Sequence, residues 1–275
     1  MTRTWTDGVA VDCSDDEWAA LRAGFLGAGF RVVVPSGPDR PAALARARDL
    51  AARVAERLRT RLDETPWRHL ASEVRDPGPG GGSGSGSALE VVGGWTHRFR
   101  ASSGPCSTRV TAWTVPTAPT VPTAPTALPG TEGSSSAPAP GVTLPWQVNI
   151  ASPLTGLPAL SGHHEARAEA WLRPGEVGIW SSATTALVDT TAGAPLLRTP
   201  RGWLHPVPHD GTVPHHLWER ACARLQADAW SGELPHDLDA VLCVAPDGRL
   251  THLTALDGVP LSDRPAVDTA LDRLR

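Results

Sequence analysis

The chain contains no lysine and no tyrosine, and all 25 of its basic residues are arginine. A guanidinium stays protonated and forms no Schiff base, so no side-chain amine is available for covalent chemistry with a carbonyl compound. Phenylalanine and methionine are scarce, and the aromatic load falls on 11 tryptophans, a residue type that takes core and interface positions. The four cysteines, Cys13, Cys106, Cys222 and Cys243, are scattered with no CxxC pair. They read as reduced thiols of a cytoplasmic protein. No apolar run reaches the roughly 18 residues of a membrane span. The opening MTRTWTDGVA lacks the apolar stretch of a signal peptide. A net charge of -4 and the absence of a basic aromatic stripe exclude the electrostatic footprint of a nucleic-acid or membrane-surface binder.

Proline and glycine are abundant, at 27 residues each, and they concentrate in two places. Asp76–Ser87 is a Gly/Ser-rich insert with no strand feeding into it and no GxGxxG spacing. It reads as a flexible loop and not as a phosphate cradle. The hexapeptide Val-Pro-Thr-Ala-Pro-Thr occurs at Val115–Thr120 and again at Val121–Thr126. Proline at that density forbids a central strand and favours polyproline II. The linker character continues through Gly133–Pro140. The expected organisation is an N-terminal domain over 1–116 with an insert at 76–87, a linker over 117–141, and a C-terminal domain over 142–275.

Local patterns predict an α+β chain. Trp5–Val11 reads as two short strands around Asp7-Gly8. Ser14–Glu17 forms a capping box ahead of a short helix, and a Gly-rich turn leads into a strand over Arg31–Val34. Asp39 and Pro41 suit a helix start, followed by one apolar stripe of Leu44, Ala47, Ala51, Val54, Leu58 and Leu62. Strands are expected at Leu89–Val92, Trp95–Arg100 and Arg109–Val115. In the second half, strands are expected at Val142–Ile150, Gly178–Ser181, Ala194–Leu197 and Leu238–Val244, with Ala186–Asp189 as a further extended piece. Helices are expected at Glu165–Trp171, Pro214–Leu225 and Ala266–Leu274, and a Pro/Gly/His-rich loop precedes the second of them.

One succession of motifs is specific. Asp189-Thr190-Thr191 is followed by an apolar piece, by Thr199-Pro200, and by Val213-Pro214 opening a helix. Upstream stand Leu154-Thr155-Gly156-Leu157-Pro158 and Ala166-Arg167-Ala168-Glu169-Ala170, and downstream Asp257-Gly258-Val259-Pro260-Leu261. This order resembles class IV pyridoxal-phosphate enzymes, the branched-chain and D-amino-acid aminotransferases and 4-amino-4-deoxychorismate lyase. Their pattern runs L-[TA]-G-[LI]-K, A-R-x-E-A, E-x-T-x-x-N, T-P, L-P-G-[IV]-T-R and D-G-x-P-[VL].

The resemblance implies two mixed α/β domains, a homodimer, and a pyridoxal-phosphate cleft. It also assigns positions. The Schiff-base lysine falls on Pro158. Arg48 or Arg53 takes the slot of a phosphate-binding helix arginine. Asp189 replaces the glutamate at the pyridine nitrogen, with Thr190 and Thr191 beside it. His215-His216-Leu217 and Val244-Ala245-Pro246 replace the two sides of the phosphate cup. The frame is kept and the chemistry is not. The expectation is therefore a catalytically inactive binding or regulatory relative, with no cofactor and a small anionic or amino-acid-like ligand. The degenerate cleft would be lined by Arg48, Asp189, Thr190, Thr191, His215 and His216. An active aminotransferase or lyase carrying pyridoxal phosphate is the alternative. A second alternative is a metal- or anion-binding loop of His205, His209, His215, His216 and Asp210.

Overall fold

The computed structural model describes residues 2–6, 9–11, 14, 29–35, 39–58, 60–75, 89–100, 104–114, 137–152, 154–158, 162–262 and 264–274. They belong to two compact units. One is Met1–Ala118 with Pro158–Ser161, and the other is Pro119–Leu157 with Gly162–Arg275. The helix expected after Ser14, the Gly-rich turn before Gly29, the insert at 76–87 and the hexapeptide repeats lie outside the described residues.

The first unit is built on a five-stranded antiparallel sheet. Its strands are β1 (Thr2–Thr6), β2 (Val9–Val11), β3 (Gly29–Val34), β4 (Leu89–Arg100) and β5 (Gly104–Thr114), in the order β2-β1-β5-β4-β3. β1 and β2 pair with Thr6 opposite Val9, as a tight hairpin requires. β4 runs unbroken where two pieces were expected. Gly93 and Gly94 weaken the local signal, yet each is paired on both sides, to β3 and to β5.

Helix α1 (Arg40–Arg57) carries Pro41 in its first turn, where a missing N–H has no intrahelical acceptor to lose. It buries Leu44, Ala47, Leu50, Ala51 and Val54. The stripe stops short of Leu62, because Thr60 N donates back to Ala55 O and closes the helix at Leu58. Helix α2 (Glu64–Arg75) follows and sets Trp67 against Phe30, with ring centroids 6.1 Å apart.

The second unit holds a nine-stranded mixed sheet. Its strands are β6 (Ala137–Val148), β7 (Val177–Ser182), β8 (Asp189–Thr190), β9 (Ala194–Thr199), β10 (Gly202–Pro206), β11 (Asp228–Trp230), β12 (Ala240–Val244), β13 (Leu250–Leu256) and β14 (Val259–Pro260). The order is β11-β10-β9-β12-β13-β6-β7-β8, with β14 beside β13. Three helices complete it: α3 (Gly162–Trp171), α4 (His216–Leu225) and α5 (Arg264–Leu274). Leu196, Leu242 and Val244 pack on one side with Trp218, Ala221, Val267 and Leu271 of α4 and α5. Leu197, Val241 and Cys243 belong to a separate cluster with Ile179, Leu187 and Leu253. β12 is thus buried on both faces, which is why it reads as an uninterrupted apolar run.

Two expectations are corrected here. Ala137–Pro140 was read as linker, but it already belongs to β6. Its prolines sit where only β13 flanks the strand, since β7 joins from Gly141 onward. A proline is tolerated on a strand with one open side. Gly202–Pro206 was read as loop and is a strand, pairing antiparallel with β9 and parallel with β11. Pro206 pairs with β11 alone. Among the described residues no helix is long and apolar enough to cross a membrane.

Candidate functional site

The second unit gathers its chemistry-bearing residues where β8, the end of β12 and the start of α4 meet. Asp189 opens the site. One carboxylate oxygen accepts from Thr190 N at 2.8 Å and the other from Val213 N at 3.1 Å. Burial pushes this carboxyl up from 3.8 to about 7, and the two N–H bonds only partly oppose the shift. Cys243, fully buried beside Thr190 and Asp189, has its thiol pushed up to about 12 by the same desolvation, so it is not a nucleophile.

The turn after Asp189 is fixed by its own side chains. Thr190 Oγ1 donates to Gly193 O at 2.6 Å. Thr191 Oγ1 accepts from Gly178 N, and Thr191 N donates to Gly178 O, both at 2.9 Å. Gly193 has φ +126°, and a Cβ there would lie 2.3 Å from Val244 O. Only glycine lets the two backbones approach so closely.

The segment leading into α4 is pinned at successive points. A 3-10 turn at Pro208–Asp210 buries Asp210, which accepts from Thr185 Oγ1 at 2.6 Å and Thr184 Oγ1 at 3.4 Å. Burial alone would raise the Asp210 carboxyl. Hydrogen bonds from Thr185, Ser231 and Thr184, with His209 nearby, outweigh it and hold the group below its ordinary value. Thr212 Oγ1 donates to Val188 O. Val213 N then reaches Asp189, and His215 caps the helix.

The helix was expected from Pro214 and starts at His216 instead, because His215 is extended (φ -145°, ψ 162°) and serves as its N-cap. His215 Nδ1 accepts from Trp218 N at 3.3 Å, and Nε2 lies 2.9 Å from Val244 O. A carbonyl only accepts, so Nε2 carries the proton and the ring is neutral. Burial takes its pKa from 6.5 down to about 4. On the facing segment, Ala245 N donates to Arg249 O and Pro246 has no N–H. The Val244 carbonyl is already held by the imidazole.

Two of the remaining predicted positions belong to the first unit and one to α4. Pro158 groups with the first unit, where it is buried and its carbonyl accepts from Arg31 N at 2.9 Å. Arg48, also in the first unit, is exposed on α1. Its Nε and Nη2 engage Glu64 at 2.8 and 2.6 Å. His216 is half-buried on the first turn of α4.

The His-rich loop does not converge. His205 Nδ1 lies 3.1 Å from Pro206 O and its ring meets Trp218 edge-on. The His209 side chain is 79% exposed beside Asp210. Among the described residues no group of three or more His, Cys, Asp or Glu side chains is placed to hold a metal. Sequence reasoning missed the backbone partners Val213 and Val244 and the buried Asp210–Thr185 pair. The Thr184-Thr185 doublet and an acidic residue amid prolines were the only local signals of that pair.

No protein-family model matches the chain, and no curated protein does. Solved structures do match. A 4-amino-4-deoxychorismate lyase from Pseudomonas aeruginosa aligns with TM-score 0.67 at 15% identity, over 99% of this chain and 98% of that one. A fold IV transaminase from Curtobacterium pusillum gives 0.67 at 16% identity, over 99% and 97%. A hypothetical aminotransferase from Mycobacterium tuberculosis, in its PLP-bound form, gives 0.63 at 13% identity, over 99% and 97%. The chain has the class IV aminotransferase fold.

No side chain here offers pyridoxal phosphate a Schiff-base amine. No lysine exists to hold an aldehyde, and the Pro158 carbonyl accepts from Arg31 N of β3. Both carboxylate oxygens of Asp189 are engaged by backbone N–H groups. A phosphate at the start of α4 would meet an imidazole already bonded there.

Proposed function

We propose that the chain is a catalytically inactive, cofactor-free relative of the class IV aminotransferases and 4-amino-4-deoxychorismate lyases, retained as a binding or regulatory protein. The observation that carries this reading is a chain without lysine, with Pro158 where the resemblance expects one. Transamination and pyruvate release in this family both need an amine that holds the aldehyde, releases it and moves a proton. Arginine, the only long basic side chain here, does none of these.

What persists is frame. Gly156, at φ +70°, allows Pro208 O an approach that a Cβ would block at 2.2 Å. Asp257, at φ +48°, accepts from Thr143 N and Thr143 Oγ1, both at 2.7 Å, and so closes the turn after β13 onto β6. Loss confined to chemistry, with turn residues of this kind kept, favours an inherited scaffold over an unrelated design. The reading further takes the protein as a cytoplasmic homodimer whose cleft accepts an amino-acid-like ligand. Light scattering at micromolar concentration tests the dimer, and a clean monomer contradicts it.

The direct test is absorbance of the purified protein on addition of pyridoxal phosphate, with assays for transamination and pyruvate release. The expected spectrum is that of free cofactor, with no turnover. A saturable protein-bound chromophore with turnover establishes the active alternative.

A further inference from the structure

The start of a ten-residue helix presents unpaired N–H groups and the positive end of its dipole, so it draws anions. In α4 this end is met by a side chain of the same protein. The His215 ring takes the Trp218 N–H on Nδ1 and gives its own Nε2–H to Val244 O, bridging the helix to the end of β12. One tautomer satisfies both bonds, and it is the neutral one. We propose that the His215 imidazole is a built-in occupant of the anion cup at the start of α4, which restricts the protein to ligands without a phosphate at this place. This goes beyond the loss of catalysis, which rests on Pro158. Either can fail without the other.

Three features support it. The ring has no charge with which to attract an anion, because burial keeps it neutral. The charged neighbours that act on it are Glu219 and Asp247, which favour protonation without overcoming burial, and His216, which opposes protonation. Both carboxylates also repel a phosphate. The facing segment offers no side-chain donor, since Val244, Ala245 and Pro246 supply only apolar groups, and its nearest N–H, on Ala245, is bonded to Arg249 O. An anion therefore gains little here until the imidazole leaves and releases the Trp218 N–H.

The test titrates inorganic phosphate against chloride at matched ionic strength, on the full chain and on His215→Gly. The wild type is expected to show no phosphate-specific rise in melting temperature. His215→Gly is expected to gain a saturable rise of about 5 °C at a hundredfold excess over its dissociation constant. A saturable effect in the wild type, or none in a folded His215→Gly, overturns the proposal. A measurement that needs no variant is 15N NMR of the histidines. It should find His215 with a bare Nδ1 and a protonated Nε2 from pH 7 down to pH 5. The opposite tautomer, or titration near the ordinary 6.5, overturns it as well.

Discussion

Asp189 and His215 titrate in opposite directions around one short segment, and replacing Asp189 should expose this. The Asp189 carboxyl is raised from 3.8 to about 7. Its protonated form is therefore favoured in the native state, and the stability it lends is complete below pH 3.8 and lost as pH rises through 7. At roughly 1.4 kcal/mol per pH unit, that loss is at most about 4 kcal/mol. The His215 ring is lowered from 6.5 to about 4. Its contribution is complete above pH 6.5 and lost as pH falls toward 4, by about 3 kcal/mol.

The two slopes nearly cancel in the wild type. In Asp189→Asn only the His215 slope remains, so the difference in unfolding free energy, variant minus wild type, should climb by about 4 kcal/mol between pH 4 and 7. Urea unfolding followed by tryptophan fluorescence across that range measures it. Parallel pH profiles for wild type and variant would falsify the assignment of a desolvated, neutral-favouring carboxyl at Asp189.

Three further substitutions probe the frame around the site. Gly193→Ala should destabilise by about 3 kcal/mol or more, measured by urea titration, because the added Cβ meets Val244 O at 2.3 Å in a left-handed backbone. Thr185→Val, which strips the Asp210 carboxylate of its 2.6 Å donor, should cost about 2 kcal/mol and lower the melting temperature. Arg48→Ala removes an exposed pair with Glu64 and should change stability by less than about 1 kcal/mol in a urea titration.

What was readable in the chain and what was not divide along physical lines. Elements whose cause is local were legible. The helix from Pro41, the hairpin around Asp7-Gly8 and the terminal helix each carry their own start signal or apolar period. Elements whose cause is a distant partner were not. Gly202–Pro206 looks like loop by composition and becomes a strand because β9 and β11 flank it. Ala137–Pro140 is held in a ladder by β13, more than a hundred residues away in sequence.

The site followed the same division. The motif order alone suggested that Pro158, Asp189 and His215 replace chemically different residues. That His215 reaches Val244 O and Asp189 holds Val213 N depends on the crossing of β8, β12 and the α4 start. No local pattern announces that crossing. The expected end of α1 was misplaced for a related reason, since an apolar stripe continues through Leu62 while the backbone turns at Leu58.

The central claim is that this fold has kept its frame and lost the covalent handle for an aldehyde. Borohydride reduction of the native protein after incubation with pyridoxal phosphate, followed by peptide mass spectrometry, tests it most directly. The account predicts no stoichiometric pyridoxyl adduct at any internal residue, and none at the position of Pro158. One adduct per chain at a single internal residue would contradict it.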